Sequence, residues 1–340
     1  MKTLYVFSQY RVGERIFPTI EKMKSKSDLD CLLLYQMSDK YDWPGNNDLR
    51  KIFHKKYDKF FDKISSKKSD FNFGKYDVII CDDNRDTPKT NLSEIYAQRK
   101  GVMVGCYHGP GDKFCSSEHI KKIQNKICDF CFVIGSVDIH SNISKAVGIP
   151  SNDVLKKYLD RASKHILLIV NFLGNRYSPF KVNFDGDFID MLKLKTIQKN
   201  IDLPFIFKLK SREDEGKNGY VKNTEYLNKI LPNDIDYEIM CDHPNNDELI
   251  SESALVISST GMFTYKPIQL GVPTVIIKDS GLNANFHRHT GFMDINNNNI
   301  GENIYNILRE PRDDSFITDC IAGGLNFEST DVFINEVFSL

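Results

Sequence analysis

The hydrophobic and polar positions of the chain follow two alternating patterns. Short apolar runs, rich in branched and aromatic side chains, are typical of strands buried on both faces of a parallel sheet. Between them lie longer segments with apolar residues three or four positions apart, which predict amphipathic helices. The predicted strands are 4–8, 31–35, 76–81, 101–107, 127–134, 165–172, 205–209, 237–240, 254–257 and 274–277. The predicted helices are 16–24, 49–68, 141–147, 187–200, 247–253 and 262–270.

This alternation of strands and helices starts again in the middle of the chain. Parallel strands joined by helices form βαβ units, and a restart of the pattern indicates a second sheet. We therefore predict an α/β fold with two doubly wound, Rossmann-like domains that face each other across a ligand-binding cleft. The first domain spans residues 1–156, the charged segment 157–164 is the linker, and the second domain spans residues 165–340.

A loop of three hydroxyl residues and a glycine, Ser258-Ser259-Thr260-Gly261, connects a predicted strand to helix 262–270. Ser and Thr hydroxyls bind free amides at the start of a helix, and glycine lets a ligand come close. The free amides and the positive helix end also suit an anion, above all a diphosphate. The loop is therefore either an ordinary helix cap or a diphosphate site.

Three further loops with candidate ligand-binding residues follow predicted strands. Strand 101–107 runs into His108-Gly109-Pro110-Gly111, where an exposed imidazole is suited to taking a proton from a hydroxyl near neutral pH. Gly13 lies in the polar loop after the first strand, and Gly174-Asn175-Arg176 follow strand 165–172. His287 and His289 lie in a further loop. This loop either binds an anionic group of the substrate or is an ordinary solvated loop.

Two pairs of side chains with metal-binding chemistry do not predict a metal site. Asp82 and Asp83 follow strand 76–81, but successive residues point in different directions, which favours a solvated turn. Cys128 and Cys131 form a CxxC pair inside an apolar strand, with no second pair in the chain. The eight cysteines have irregular spacings, which indicates reduced core thiols rather than a disulfide framework.

Composition excludes several classes of protein. The chain has 45 basic and 46 acidic residues, so no overall field recruits nucleic acid or a membrane. No run approaches the ~18 apolar residues of a membrane span, and the N-terminus turns polar too soon for a signal peptide. We expect a cytoplasmic protein. The lysine-rich segment Lys51–Lys68 leaves two interpretations open, an ordinary solvated helix face or a peripheral contact with anionic lipid at the inner face of the membrane.

Three short motifs together resemble a known family. They are His108-Gly109 after one strand, Gly148-Ile149-Pro150 after another, and SSTGMFTYKPIQLGVPTVII at residues 258–277. Over residues 1–310 the chain resembles the two-domain glycosyltransferases of the GT-B type. Within that group it is most similar to the CDP-glycerol glycerophosphotransferase and bacterial capsule-polymer transferase relatives.

The resemblance implies a transferase of surface glycan or polymer synthesis, with no cofactor and no metal. A sugar or polyol phosphate would pass from a nucleotide-activated donor, bound by the second domain, to a hydroxyl of a glycan or polyol-phosphate acceptor, bound by the first. His108 would be the general base, and the Ser258–Gly261 loop would bind the donor diphosphate. Together with the loop residues singled out above, the predicted substrate-binding residues are Gly109, Gly13, Gly174, Asn175, Arg176, Lys208, Lys210, Ser258, Ser259, Thr260, Gly261, Gln269 and His287.

The sequence departs from these relatives at two places. They commonly carry a His-Pro where this chain has Phe207-Lys208-Leu209-Lys210, so Lys208 and Lys210 would take over the phosphate contact. They often carry an acid in the helix after the Ser/Thr loop, where this chain offers Lys266 and Gln269.

Two alternative functions remain open from the sequence. One is a non-hydrolysing sugar-nucleotide epimerase, which needs acidic residues in the cleft. Such enzymes carry glutamates in the helix after Thr260, where this chain has Tyr265 and Lys266, and this difference argues against an epimerase. The other is a non-catalytic protein that binds a nucleotide sugar or a glycan. The sequence does not identify the sugar, the nucleotide, the acceptor or the anomeric outcome.

Overall fold

A computed structural model describes all of the chain except residues 9, 35–45, 84–85, 87–89, 107–126, 140, 171–192, 210–215, 241–244, 260–261, 279–291, 295–305, 307 and 310–313. The chain forms two compact units. The first consists of Met1–Val154 together with Ser315–Leu340, and the second of Leu155–Asp314.

In the described residues the first unit contains a sheet of seven parallel strands in the order β3-β2-β1-β4-β5-β6-β7. The chain adds strands on one side of β1 and then crosses back to add the others on its opposite side. This is a doubly wound sheet, and it confirms the predicted α/β class. The strands are β1 (Lys2–Phe7), β2 (Asp28–Leu33), β3 (Lys63–Ser65), β4 (Val78–Cys81), β5 (Val102–Cys106), β6 (Phe130–Val133) and β7 (Ser144–Ala146).

The second unit repeats this arrangement with a sheet of six described parallel strands in the order β10-β9-β8-β11-β12-β13. Strand β8 holds the position that β1 holds in the first sheet, with β11 on its other side. Phe205, Phe207 and Leu209 alternate along β9 and pack into a core with Ile166 and Ile257. The strands are β8 (His165–Val170), β9 (Phe205–Leu209), β10 (Tyr237–Met240), β11 (Ser253–Ser259), β12 (Thr274–Lys278) and β13 (Phe292–Asp294).

The helices of the described residues cover the two sheets. Those of the first unit are Tyr10–Gly13, Phe17–Lys24, Asn46–Tyr57, Leu92–Gln98, Asp314–Cys320 and Ser329–Phe338. Those of the second unit are Leu194–Ile201, Gly216–Ile230, Asn246–Ser251 and Met262–Leu270. Short 3₁₀ helices occur at Glu14–Ile16, Asp58–Phe60, Lys68–Asp70, Phe73–Lys75, Ser136–Asp138 and Pro150–Tyr158.

Two predicted helices are wrong. Helix 49–68 ends at Tyr57, and the residues Lys63–Ser65 form the edge strand β3 instead. The segment predicted as helix 141–147 contains the edge strand β7, which pairs with β6. In both cases a short edge strand is stabilised by pairing with a neighbouring strand, and this pairing overrides the local pattern.

The last segment of the chain returns to the first unit, whereas the predicted second domain ran to residue 340. Phe333, Ile334 and Val337 of the helix Ser329–Phe338 pack into the first core, where Phe333 contacts the Phe132 ring edge to face at 5.0 Å. Backbone amides of Ser329 and Thr330 donate to the carboxylate of Asp153 at 2.9 and 2.7 Å. The C-terminal segment is therefore a structural part of the first unit.

Candidate functional site

Each sheet has a switch point, the place where the strand order reverses. In the first sheet it lies between β1 and β4, and in the second between β8 and β11. The helical connections on the two sides of a switch point leave in opposite directions, so a crevice opens outside the carboxyl ends of these strands. Open α/β sheets bind their ligands at this position. The residues after β1, β4, β8 and β11 are therefore the first candidates for a site.

At the first switch point a buried carboxylate bridges the two strands. Asp82 follows β4, and both of its carboxylate oxygens accept the backbone N–H of Ser8, which follows β1, at 2.9 Å. Asp82 is 1% exposed, and the neighbouring Asp83 is 4% exposed. The prediction of a solvated turn at these two acids is wrong. Burying carboxylates is costly unless the surrounding groups stabilise them, so this pair is an unusual feature of the edge.

Arg15 brings a cation to the same switch point. Its Nη2 donates to the backbone carbonyl of Asp82 at 3.1 Å, and its Nε donates to the carbonyl of Val12 at 2.9 Å. The guanidinium therefore fixes the loop that carries the two acids to the helix Tyr10–Gly13.

Elsewhere in the first unit three polar side chains form a chain of hydrogen bonds. The Tyr10 hydroxyl lies 2.9 Å from His54 Nε2. His54 Nδ1 lies 2.8 and 3.1 Å from the two carboxylate oxygens of Asp58. His54 belongs to the last turn of the helix Asn46–Tyr57, and Asp58 begins the 3₁₀ turn that follows it.

The carboxyl end of β6 is covered by the C-terminal segment. A Cβ added at Gly135 would lie 2.4 Å from the carbonyl oxygens of Asp319 and Cys320, so only glycine fits there. The Ala322 amide donates to the Ile134 carbonyl at 3.0 Å. This part of the edge is closed by the protein itself.

The thiols near this edge are not nucleophiles. Cys81 ends β4 and Cys106 ends β5, and burial raises the pKa of both thiols well above the ordinary value. A thiol with a raised pKa stays protonated and unreactive at neutral pH. The described cysteines are all buried and none of them forms a disulfide, as expected for reduced core thiols.

At the second switch point the structure describes part of the predicted diphosphate loop. Ser258 and Ser259 end β11 beside β8, and Ser258 is fully buried. Helix Met262–Leu270 begins three residues later, as predicted, and ends at Gly271, which has a φ of +74°. Thr260 and Gly261 lie outside the described residues. The strand and the helix flank the loop in the predicted order.

Lys266 and Gln269, the two polar residues of this helix that the sequence analysis considered, are held by other parts of the protein. Lys266 Nζ forms an ion pair with Asp247 at 2.5 Å, which ties the helix to Asn246–Ser251. Gln269 is fully buried near the far end of the helix, about 10 Å along its axis from the first turn.

Two other predicted binding residues are described. Gly13 is buried, and a Cβ there would lie 2.5 Å from the Phe7 ring, so packing alone accounts for the glycine. Lys208 is half-buried in β9, one residue before its carboxyl end. The other predicted site residues lie outside the described part of the chain: His108, Gly109, Gly174, Asn175, Arg176, Lys210 and His287.

Within the described ranges, no three His, Cys, Asp or Glu side chains come together as a group that could hold a metal ion. None of the helices described here combines the length and the apolar character that a membrane crossing requires. The segment Lys51–Lys68 is divided between a helix, a 3₁₀ turn and β3. Two of its lysines are engaged locally, Lys63 over the Phe71 ring at 4.9 Å and Lys68 with Glu94 at 2.8 Å. The structure gives no support for the predicted membrane contact.

Comparison with solved structures finds the same fold over nearly the whole chain. The putative UDP-N-acetylglucosamine 2-epimerase of Listeria monocytogenes has a TM-score of 0.65 at 11% identity, covering 99% of this chain and 96% of that one. The UDP-GlcNAc 2-epimerase of Neisseria meningitidis, bound to UDP-GlcNAc, has a TM-score of 0.60 at 13% identity and full coverage of both chains. Anabaena HepE in complex with UDP has a TM-score of 0.56 at 15% identity, again with full coverage of both chains. No protein-family model and no curated protein matches the chain.

These comparisons confirm a GT-B-like fold and correct the predicted activity. Several of the similar structures are UDP-GlcNAc 2-epimerases, which contradicts the prediction of a glycosyltransferase. No family match supports the predicted relation to CDP-glycerol glycerophosphotransferases or to capsule synthesis. The epimerase, which the sequence analysis weighed as the alternative, is better supported.

Proposed function

We propose that the protein is a sugar-nucleotide epimerase of the non-hydrolysing kind, acting on a nucleoside diphosphate sugar. The observation that carries this proposal is the buried pair Asp82–Asp83 at the switch point between β1 and β4. The absence of glutamates after Thr260 counted against an epimerase, but the structure offers acidic groups on a different segment.

The chemistry of epimerisation explains why carboxylates matter. Position 2 of the sugar neighbours the anomeric carbon that carries the diphosphate. To invert it, a base must take the C–H proton from one face and an acid must return a proton to the other face. The electron pair of the broken C–H bond forms a double bond between positions 1 and 2 as the C1–O bond breaks and the diphosphate leaves. When the diphosphate adds back to position 1 and a proton returns to position 2, the bond to the diphosphate is restored without hydrolysis. A carboxylate held in a site of low dielectric is suited to this proton transfer.

The fold gives the second support for the proposal. Similar structures are bound to UDP-GlcNAc, UDP or UDP-glucose, so a nucleotide sugar is the ligand class that this architecture accommodates in other proteins. In this chain we propose that the Ser258–Gly261 loop and the start of helix Met262–Leu270 bind the diphosphate. The hydroxyls, the free amides and the helix dipole supply the anion contacts.

The test is an NMR assay in deuterium oxide with UDP-GlcNAc as the probe. The wild-type protein should form the second epimer and place deuterium at position 2. Asp82→Asn and Asp83→Asn are assayed separately, and at least one should lose about 10²- to 10⁴-fold in turnover, the usual contribution of a general acid or base.

Asp28→Asn is the matched control, because Asp28 is exposed at the start of β2, on the opposite edge of the same sheet. It should keep the wild-type rate. The proposal is wrong if the wild-type protein leaves UDP-GlcNAc and other UDP sugars unchanged, or if both Asp82→Asn and Asp83→Asn keep full turnover.

A further inference from the structure

We infer that Arg15 is a positioning residue for the Asp82–Asp83 pair: its guanidinium holds the loop that carries the two acids and keeps the proton-accepting carboxylate ionised. This inference rests on the proposed function, because a carboxyl group can take a proton from the sugar only when it is ionised. Arg15 itself is assigned no contact with the sugar. It acts through the two acids beside it.

The contacts of Arg15 bring its cation next to this loop. Nη2 donates to the backbone carbonyl of Asp82 at 3.1 Å, and Nε donates to the carbonyl of Val12 at 2.9 Å. Covalent geometry keeps the carboxylate of an aspartate within about 5 Å of its own carbonyl oxygen, so the guanidinium lies within roughly 8 Å of the Asp82 carboxylate. That carboxylate is itself fixed in place, since both of its oxygens accept the Ser8 amide at 2.9 Å.

Burial makes a cation necessary for a base at this position. The side chains of Asp82 and Asp83 are both buried, and the fields of both carboxylates act on the Cys81 thiol, so the two acids lie around the same strand end. Surroundings of low dielectric and a second negative charge both favour the protonated form of a carboxyl group, whereas a nearby cation favours the ionised form. The guanidinium therefore opposes the two effects that would deprive the site of its base.

The described thiols around the pair are neutral. Cys31, Cys81 and Cys106, on β2, β4 and β5, lie within the field of Asp82, and burial raises the pKa of each thiol well above its ordinary value. The guanidinium acts on the Cys106 thiol in the direction opposite to Asp82, so both charges lie near the end of β5. Glu14 is exposed, and water and salt therefore screen its charge.

A charge role predicts a pH pattern that a purely structural role would not produce. Two unit charges about 8 Å apart, at an effective dielectric constant of about 20, shift the ionisation of an acid by about one pH unit. In Arg15→Gln the acidic limb of turnover should move up by about one pH unit, with a loss of about tenfold on that limb and wild-type turnover at higher pH. Arg15→Lys keeps the charge and should restore most of the wild-type profile. KM should change little in both variants.

The experiment measures turnover of UDP-GlcNAc against pH and, without any substrate, the ionisation of the two acids. Carboxyl-carbon NMR of protein with isotope-labelled aspartate follows their titration, and the signals that disappear in Asp82→Asn and Asp83→Asn identify them. The titration midpoint of at least one acid should rise by about one pH unit in Arg15→Gln. Lys22→Gln is the charge-matched control, because Lys22 is exposed and paired with Asp331 at the surface. It should leave both measurements unchanged.

The outcomes separate the two proposals. A wild-type protein without epimerisation of UDP sugars refutes the proposed function, whereas the titration still tests the effect of Arg15 on the two acids. Unchanged titration midpoints in folded Arg15→Gln refute the inference. It is also refuted if turnover falls equally at every pH, since that result shows a structural role, or if Arg15→Lys is no better than Arg15→Gln.

Discussion

The carboxylate of Asp153 is expected to hold the C-terminal helix on the first unit, and its removal should be costly. Glu328, at the N-cap position of helix Ser329–Phe338, makes no capping hydrogen bond with its side chain. Asp153 replaces it from a distant part of the chain, accepting the amides of Ser329 at 2.9 Å and Thr330 at 2.7 Å. Ser329 is fully buried and Thr330 is 5% exposed, so water cannot easily replace these bonds.

The magnitude follows from these contacts. Loss of a helix cap costs about 0.5 to 2 kcal/mol, and a buried amide left without an acceptor costs about 1 to 3 kcal/mol. Part of this is offset because Asp153→Ala also removes the cost of burying the carboxylate. We expect Asp153→Ala to lower the free energy of unfolding by about 2 to 3 kcal/mol. Asp153→Asn keeps one acceptor oxygen and should lose about half of that.

Asp153 also gives a pH dependence with a defined sign. Burial raises its pKa, while hydrogen bonds from Thr330 and Ser329 act in the opposite direction. The folded state therefore binds this proton more tightly than the unfolded chain does. The stability gained from protonation is complete below the unfolded pKa of about 4 and is lost as the pH rises through the raised folded pKa. The stability of the wild type relative to Asp153→Asn should fall over that range.

The assay is urea unfolding followed by circular dichroism between about pH 4 and pH 7, where the raised pKa of Asp153 has its effect. Asp331→Asn is the control in the same turn. Asp331 is exposed and paired with Lys22 at the surface, so its loss should cost less than about 1 kcal/mol. Equal stability of Asp153→Ala and the wild type would show that the helix is held by its apolar face alone.

Two further predictions concern a backbone position and the diphosphate loop. Gly148 has a φ of +75°, and a Cβ there would lie 2.0 Å from the Ala322 carbonyl, so Gly148→Ala should lower stability by about 1 to 3 kcal/mol in urea unfolding. Gly74→Ala, whose nearest neighbours would be 3.4 Å away, should change it little; equal effects would contradict the argument. Ser259→Ala with Thr260→Ala should weaken UDP binding, measured by calorimetry, by about 1 to 3 kcal/mol. Unchanged affinity would make the loop an ordinary helix cap.

Most strands could be predicted from the sequence because buried parallel strands are continuous apolar runs. Strands Phe205–Leu209 and Tyr237–Met240 have the predicted bounds. The edge strands β3 and β7 could not be found in this way, because each has only three residues and depends on pairing with a neighbouring strand. The return of Ser315–Leu340 to the first unit was missed for a related reason. An amphipathic helix shows that it packs on a sheet, but not on which one.

The candidate site was only partly visible in the sequence. The hydroxyl loop Ser258–Gly261 could be found because strand, loop and helix are consecutive. The burial of Asp82 could not, because the amide that stabilises it belongs to Ser8, 74 residues away.

The position of Asp82 and Asp83 distinguishes them from the acids that stabilise the fold. Asp30 lies inside β2 and accepts the Tyr76 hydroxyl at 2.6 Å. Asp129 precedes β6, where Arg99 and the Met103 amide bind it; burial acts to raise its pKa, but these partners outweigh it and the pKa is lowered. These acids lie within the sheet or before its strands begin, away from the carboxyl ends, and join neighbouring elements of the core. Asp82 and Asp83 lie where the strands end and the strand order reverses. This position, together with the burial of both side chains, is the reason why the proposed function assigns the proton transfer to this pair.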